Sequence, residues 1–106
     1  MILTTTQDIP GKKIVKTIGL VKGNTIRARN LGRDIVAALK NLVGGEIEEY
    51  TKLLAQSREQ ATDRMIATAE EQGANAIISI RFSTSYIMQS AAEIMVYGTA
   101  IVVEDT

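Results

Sequence analysis

Ala76-Ile77-Ile78-Ser79-Ile80-Arg81-Phe82 and Glu93-Ile94-Met95-Val96-Tyr97-Gly98-Thr99-Ala100-Ile101-Val102-Val103 are the two segments on which the reading of this chain turns. Both read as strands. In the first, Ala76, Ile78, Ile80, Phe82 and, further on, Tyr86 share one face by period-2 alternation, and Ser79, Arg81, Ser83 and Ser85 share the other. The second is apolar on both faces: Met95, Tyr97, Thr99, Ile101 and Val103 alternate with Ile94, Val96, Ala100 and Val102. A strand needs cover on each apolar face, and this short chain offers helices for only one side of a sheet. The missing cover is read as another copy of the chain.

The remaining elements follow from turn and capping signals. Ile2-Leu3-Thr4-Thr5-Thr6 reads as a short strand, ended by a turn at Asp8, Pro10 and Gly11. A longer strand spans Lys13 to Ala28, with Ile14, Ile18, Leu20 and Ile26 on one face and Val15 and Val21 on the other. Gly19 and Gly23 allow a bend or bulge in it. Asn30 as N-cap and Leu31, Ile35, Leu39 and Leu42 as an apolar stripe predict a short first helix, stopped at Gly44-Gly45. A long second helix is predicted from about Glu46 to Gln72, with Ile47, Tyr50, Leu54, Ala61, Met65 and Ala69 at helical spacing. Ala61 and Ala69 permit close packing on strands, and Gly73 stands where a left-handed C-cap is expected. Tyr86 to Ala91 is expected as a loop, and Glu104-Asp105-Thr106 as a frayed end.

With 106 residues, 45% of them hydrophobic, the chain fits one domain over 1–106. Cysteine and histidine are both absent, which excludes disulfides, thiolate or imidazole metal ligands, and mechanisms built on a Cys or His nucleophile or base. The start of the chain lacks the pattern of a signal peptide and no run approaches a membrane span, so the expected location is the cytoplasm. The net charge is zero but unevenly spread. Residues 1–45 hold eight basic side chains against two acidic ones, and residues 46–106 hold four against ten. Such halves can sit beside one another across a subunit boundary and steer assembly, or the basic half can follow phosphates.

Candidate sites are few. Gly44-Gly45 ahead of a helix resembles an anion nest, but Glu46, Glu48 and Glu49 already complement the helix dipole there and would repel a phosphate. Those glutamates form the densest carboxylate cluster, yet no Asp-rich loop with an internal glycine accompanies them, and a Glu48 to Lys52 pair accounts for part of them. Methionines are the only soft ligands; Met65, Met88 and Met95 could converge on copper(I), but Met65 on the buried helix stripe and Met95 in an apolar strand favour core filling. A Ser-Lys dyad needs a buried lysine, whereas Lys12, Lys13, Lys16 and Lys22 read as strand-surface or turn residues. Arg27-Ala28-Arg29-Asn30-Leu31-Gly32-Arg33 is the best basic patch but has no aromatic platform beside it, which disfavours nucleic acid.

Taken together, Thr4-Thr5, Gly11, Gly44-Gly45, Tyr50, Arg58-Glu59 with Ala61, Gly73-Ala74-Asn75-Ala76 and Gly98-Thr99-Ala100 resemble the YbjQ-like family, whose description is heavy-metal binding. The resemblance implies an α+β, βαβ2-type two-layer domain akin to the dodecin subunit. Its sheet would be mainly antiparallel, with one long and one short helix, and copies would form a ring of five. It also marks Tyr50, Arg58, Glu59 and Asn75 as candidate inter-subunit or ligand positions. For Arg58-Glu59 the alternatives are an ion pair between subunits and a solvated helix face; for Asn75, a ligand role and a bond to its own turn. Family members often carry acidic residues where this chain has Ser79, Arg81 and Ser83, and a basic residue where it has Glu46, so the metal reading loses ligands here. The expectation is therefore a non-enzymatic homo-oligomeric binding or structural module. No catalytic residue, cofactor or metal ligand is assigned, and no membrane partner. Weak metal binding, or a small ligand held between subunits, is the alternative.

Overall fold

The computed structural model describes residues 1–27, 45–88 and 91–106. The short helix expected over residues 30–42 and residues 28–33 of the basic patch lie outside them. Five elements are described: β1 (Ile2–Leu3), β2 (Lys12–Arg27), α1 (Gly45–Glu71), β3 (Ala76–Met88) and β4 (Ala91–Asp105). The strands form one sheet in the order β1-β3-β4-β2, with β4 paired antiparallel to both β2 and β3, and β1 parallel to β3. The helix lies on one face, which makes the two-layer, mainly antiparallel α+β arrangement expected from the sequence.

The helix ends as its C-terminal glycine requires. Gly73 has φ +87°, its N–H reaches the Glu70 carbonyl, and the Ala74 N–H reaches Ala69, both at 3.0 Å. This pattern consumes the last free carbonyls and turns the chain into β3. At the same end of the sheet, Pro10 and Gly11 (φ +80°) make the tight turn into β2, closed by the Lys12 N–H on the Ile9 carbonyl.

The core beneath α1 gathers Val21, Ala61, Met65, Ala69, Ala74, Ile77, Ile80, Val96 and Ala100, with Ile18 and Ile66 packed at its margin. Ala61, Met65 and Ala69 are wholly buried, as their spacing predicts, together with Ser57 one turn earlier. Gly23 is where the helix comes closest. A Cβ there would stand 1.9 Å from the Ala61 carbonyl oxygen and 2.5 Å from the Met65 nitrogen. Its role is thus close approach of backbone to backbone, not the bend the sequence suggests. Gly19, with φ +132° at an irregularity of the ladder, does make the bend.

Bulges overturn two face assignments. The register of β3 on β4 shifts between Ile78 and Arg81, and Ser79 there adopts φ +55°. One extra residue reverses the alternation. Ile80 therefore joins Ile77 under the helix, whereas Ala76 and Ile78 turn to the opposite face with Ile101 and Val103. Phe82, paired with Val96, also stands on the helix side, so the five-residue apolar face read from the sequence is split between two layers. In β2, shifts between Ile14 and Lys16 and between Thr17 and Gly19 likewise send Ile18 to the helix side, apart from Ile14, Leu20 and Ile26. The expected loop at 86–91 is mostly ladder, since Met88 pairs with Ala91. Nor does the end fray at Glu104 and Asp105, which pair with Lys13 and Lys12.

β4 is apolar on both faces, as read. Ile94, Val96 and Ala100 are buried on the helix side, Ile101 and Val103 on the other. Part of the second cover is intramolecular: Ile9, in the segment leading to β2, packs on Ala76, Ile78, Ile101 and Val103.

Candidate functional site

Three long strands spaced about 4.8 Å apart make a sheet about 14 Å wide, and a helix with its side chains spans about 10 Å. α1 sits over β2 and β4, seated by Gly23, with Ile77 and Ile80 of β3 at the margin of its core, and leaves that face bare at Phe82. A groove of about 790 Å³ results, lined by Leu3, Phe82 and Ile66 on its apolar floor and by Ala55, Arg58, Glu59, Thr62 and Asp63 along the helix flank. Phe82 is 53% exposed and Leu3 41%. Among the described residues, Arg58, Glu59 and Asp63 make no ion pair.

The opposite face of the sheet is open over most of its length. Leu20 (70% exposed), Ile26 and Tyr97 stand on it, with Met95 half-buried between Asn24 and Ser83. Lys22 lies beside Tyr97 in register, and Arg81 on its other side. The Arg81 guanidinium donates to the carbonyls of Thr5 (3.0 Å) and Ile80 (2.8 Å) and so ties the N-terminal segment to β3. Ser79 does the same through its backbone, donating to the Thr6 carbonyl at 2.9 Å. Ser79 and Arg81 thus strap that segment down.

The four positions marked by the family resemblance do not come together. Arg58 and Glu59 lie on the helix flank of the groove. Tyr50 belongs to the first two turns of α1, with its side chain outside the described set. Asn75 sits at the start of β3, where its side-chain amide donates to the Val103 carbonyl (3.0 Å) and its side-chain oxygen accepts from the Val103 N–H (2.8 Å). It therefore bonds β4, not its own turn, and acts as an extra rung between strands. No sequence signal distinguished that role, because Val103 is 28 residues away.

The methionine reading fails on geometry. Met65 is buried under α1, while Met95 faces the other side of β4, so the sheet separates them; the Met88 side chain is outside the described set. The same holds for the side chains of Glu46, Glu48 and Glu49. Among the described residues, no three Asp or Glu side chains gather as a metal site, and the buried polar side chains are Thr25 and Ser57, neither of them ionisable. Lys12, Lys13, Lys16 and Lys22 all lie on β2. Lys12 forms an ion pair with Asp105, and this hydrogen bond, reinforced by the lysine charge, holds the Asp105 carboxyl below its ordinary range. Among the described residues, no helix is long and apolar enough to cross a membrane.

Comparison with known proteins places the whole architecture in one family. A family model described as "Putative heavy-metal-binding" matches residues 1–104. A UPF0145 protein of Dehalococcoides mccartyi is 62% identical over 104 residues, covering 98% of this chain and all of that one. UPF0145 proteins of Halorubrum lacusprofundi (55% over 101 residues, 95% and 97% covered) and Hahella chejuensis (53% over 104 residues, 98% and 100% covered) are similar along their length. A crystal structure of a protein of unknown function from Pediococcus pentosaceus, of the DUF74 family, shares the fold with a TM-score of 0.59 at 17% identity, over 98% of each chain. This chain belongs to the YbjQ-type family that carries the heavy-metal description and the name UPF0145.

Proposed function

We propose that the protein is a non-enzymatic, homo-oligomeric binding or structural module of the cytoplasm, assembled as a closed ring, with five copies as the count the family resemblance implies. The observation that carries this reading is the pair of bare apolar surfaces on opposite sides of one sheet, the groove at Phe82 and Leu3 and the open face at Leu20, Ile26 and Tyr97. A two-fold dimer buries one self-complementary patch, whereas a ring joins unlike surfaces of successive copies and closes around an interior, so that the groove can take a neighbour while the open face lines the interior. The described shape agrees: the radius of gyration is 17.1 Å, against about 13 Å for a compact chain of this length. With the helices outside, the open faces turn toward the ring axis and enclose an apolar-lined space, which is where a small ligand would be held.

The non-enzymatic reading rests on the absence of histidine and cysteine and on the lack of a buried ionisable group among the described residues. Light scattering and native mass spectrometry of the purified protein at micromolar concentration should give a closed oligomer of five. A monomer overturns the reading. The family's description supplies the competing function, a metal carrier. Calorimetric titration of the assembled protein with zinc and with copper(II) should show no stoichiometric submicromolar binding, since zinc strongly favours thiolate and imidazole, copper(II) favours imidazole, and this chain has neither ligand. Tight binding that disappears in Glu46→Gln/Glu48→Gln/Glu49→Gln would transfer the assignment to metal.

A further inference from the structure

The two long edges of the sheet differ in how well they are guarded. Natural edge strands are blunted by lysines and bulges. The first half of β2 has both, with Lys12, Lys13 and Lys16 and two register irregularities, whereas from Leu20 to Arg27 there is one lysine, Lys22, the ladder on β4 is unbroken, and Leu20 and Ile26 are exposed. On the other side, β1 and the strap of Thr4 and Thr6 occupy the β3 edge only as far as Ile80. Among the described residues, nothing pairs with the outer edge of β2 at 20–27 or with that of β3 at 82–88. The two bare edges flank overlapping stretches of β4, residues 92–99 on the β2 side and 91–96 on the β3 side.

The two flanks of α1 differ as well. The flank over the groove carries Glu59 and Asp63 beside Arg58. The flank over β2 carries Arg64, whose guanidinium donates to the Asn24 carbonyl at 2.6 Å. That carbonyl keeps a second lone pair for another donor.

We propose that copies join head to tail, the β2 edge of one (residues 20–27) adding to the β3 edge of the next (residues 82–88). The helix carried on that β2 is thereby seated in the groove over Phe82, its Arg64 flank against Glu59 and Asp63. This deepens the ring reading and rests on it. β2 and β3 both run antiparallel to β4, so they are parallel to each other. Rotation about an axis along the strands keeps that direction, so the joint in a ring is parallel. A dimer made by a two-fold across two β2 edges would instead pair like with like, antiparallel. The joint supplies hydrogen-bond partners to both edges, covers Phe82 and sets opposite charges side by side.

The chain has no cysteine, so introduced thiols are unique. Asn24 and Ser83 both register with Met95. Within one copy they are two strand spacings apart, about 9.6 Å and beyond a disulfide's span of about 7 Å, whereas across the proposed joint they are one spacing apart. Oxidised Asn24→Cys/Ser83→Cys, or Asn24→Cys/Ser85→Cys if the joint is offset by one pair, should run on a denaturing gel without reductant as a ladder up to the ring size. Each single variant should stay monomeric. Arg64→Glu should lower the oligomer fraction several-fold, and Arg64→Glu/Glu59→Arg/Asp63→Arg should restore it. No species beyond a dimer from either double-cysteine protein, with light scattering still showing a closed oligomer, overturns the joint and leaves the ring. A reciprocal charge variant that fails to recover overturns the helix seating, and a monomeric unmodified protein overturns joint and ring together.

Discussion

The β2 and β3 flanks of the sheet are built from the same kind of strand against the same central neighbour, yet at the level of Val96 one lies under the helix and the other does not. Over β2 the helix backbone rests on Gly23, with Ala61 and Met65 above it and no side chain between. Over β3 the corresponding level carries Phe82, which stands up from the sheet and keeps the helix off. The lesson is that the smallest residues decide where a single helix settles. A glycine in the strand and alanines on the helix bring dispersion contacts to their shortest range, and whatever lies beyond the helix's width is left for a partner.

That contrast can be broken at its strongest point. Gly23→Val should destabilise the fold by on the order of 3 kcal/mol, because its Cβ would meet helix backbone that no rotamer change can relieve. A denaturant midpoint unchanged from the parent would show that the helix is not seated there. Next in size is Asn75→Ala, which strips two hydrogen bonds from the Val103 backbone and should cost about 2 kcal/mol in the same measurement. An effect on assembly with no effect on monomer unfolding would instead make Asn75 an interface residue. Phe82→Ser tests the bare flank. It should change monomer stability by about 1 kcal/mol or less, as expected for a half-exposed ring, while shifting light-scattering mass toward the monomer.

The smallest effect is expected where β2 and β4 end together. Asp105 is held below its ordinary pKa of 3.8, first by its hydrogen bond to Lys12 and then by the lysine charge. A carboxylate depressed in the folded state stabilises above its unfolded pKa, and that contribution fades as pH falls through the folded value. The melting-temperature gap between the parent and Asp105→Asn should therefore be constant near neutrality and close below the ordinary carboxylate range. The pair is exposed, so the gap should be small and should shrink with added salt.

Most of the elements were legible in the sequence. Ala61, Met65 and Ala69 at helical spacing marked the face that is buried, and Gly73 marked the cap with positive φ. The doubly apolar β4 announced cover on both sides. What misled was parity. Ser79 carries no mark that separates it from a regular strand residue, yet its bulge moves Ile80 and Phe82 to the opposite layer from Ile78. The candidate site suffered from the same limit. Arg58 and Glu59 were picked out as a pair, but the groove they line also needs Leu3, Phe82 and Asp63, drawn from three elements.

The sequence by itself determined the α+β class, the extent of the long helix, the turn at Pro10-Gly11 and the absence of thiolate and imidazole chemistry, because each follows from residues adjacent in the chain or from composition alone. Only the tertiary structure decided which face each strand residue occupies, that β1 lies parallel beside β3, that Asn75 is a rung to Val103, and that the helix covers β2 and β4 but leaves Phe82 of β3 bare. Those are set by contacts between residues tens of positions apart. A single bulge or a single glycine there redirects a whole layer, and no local pattern records it.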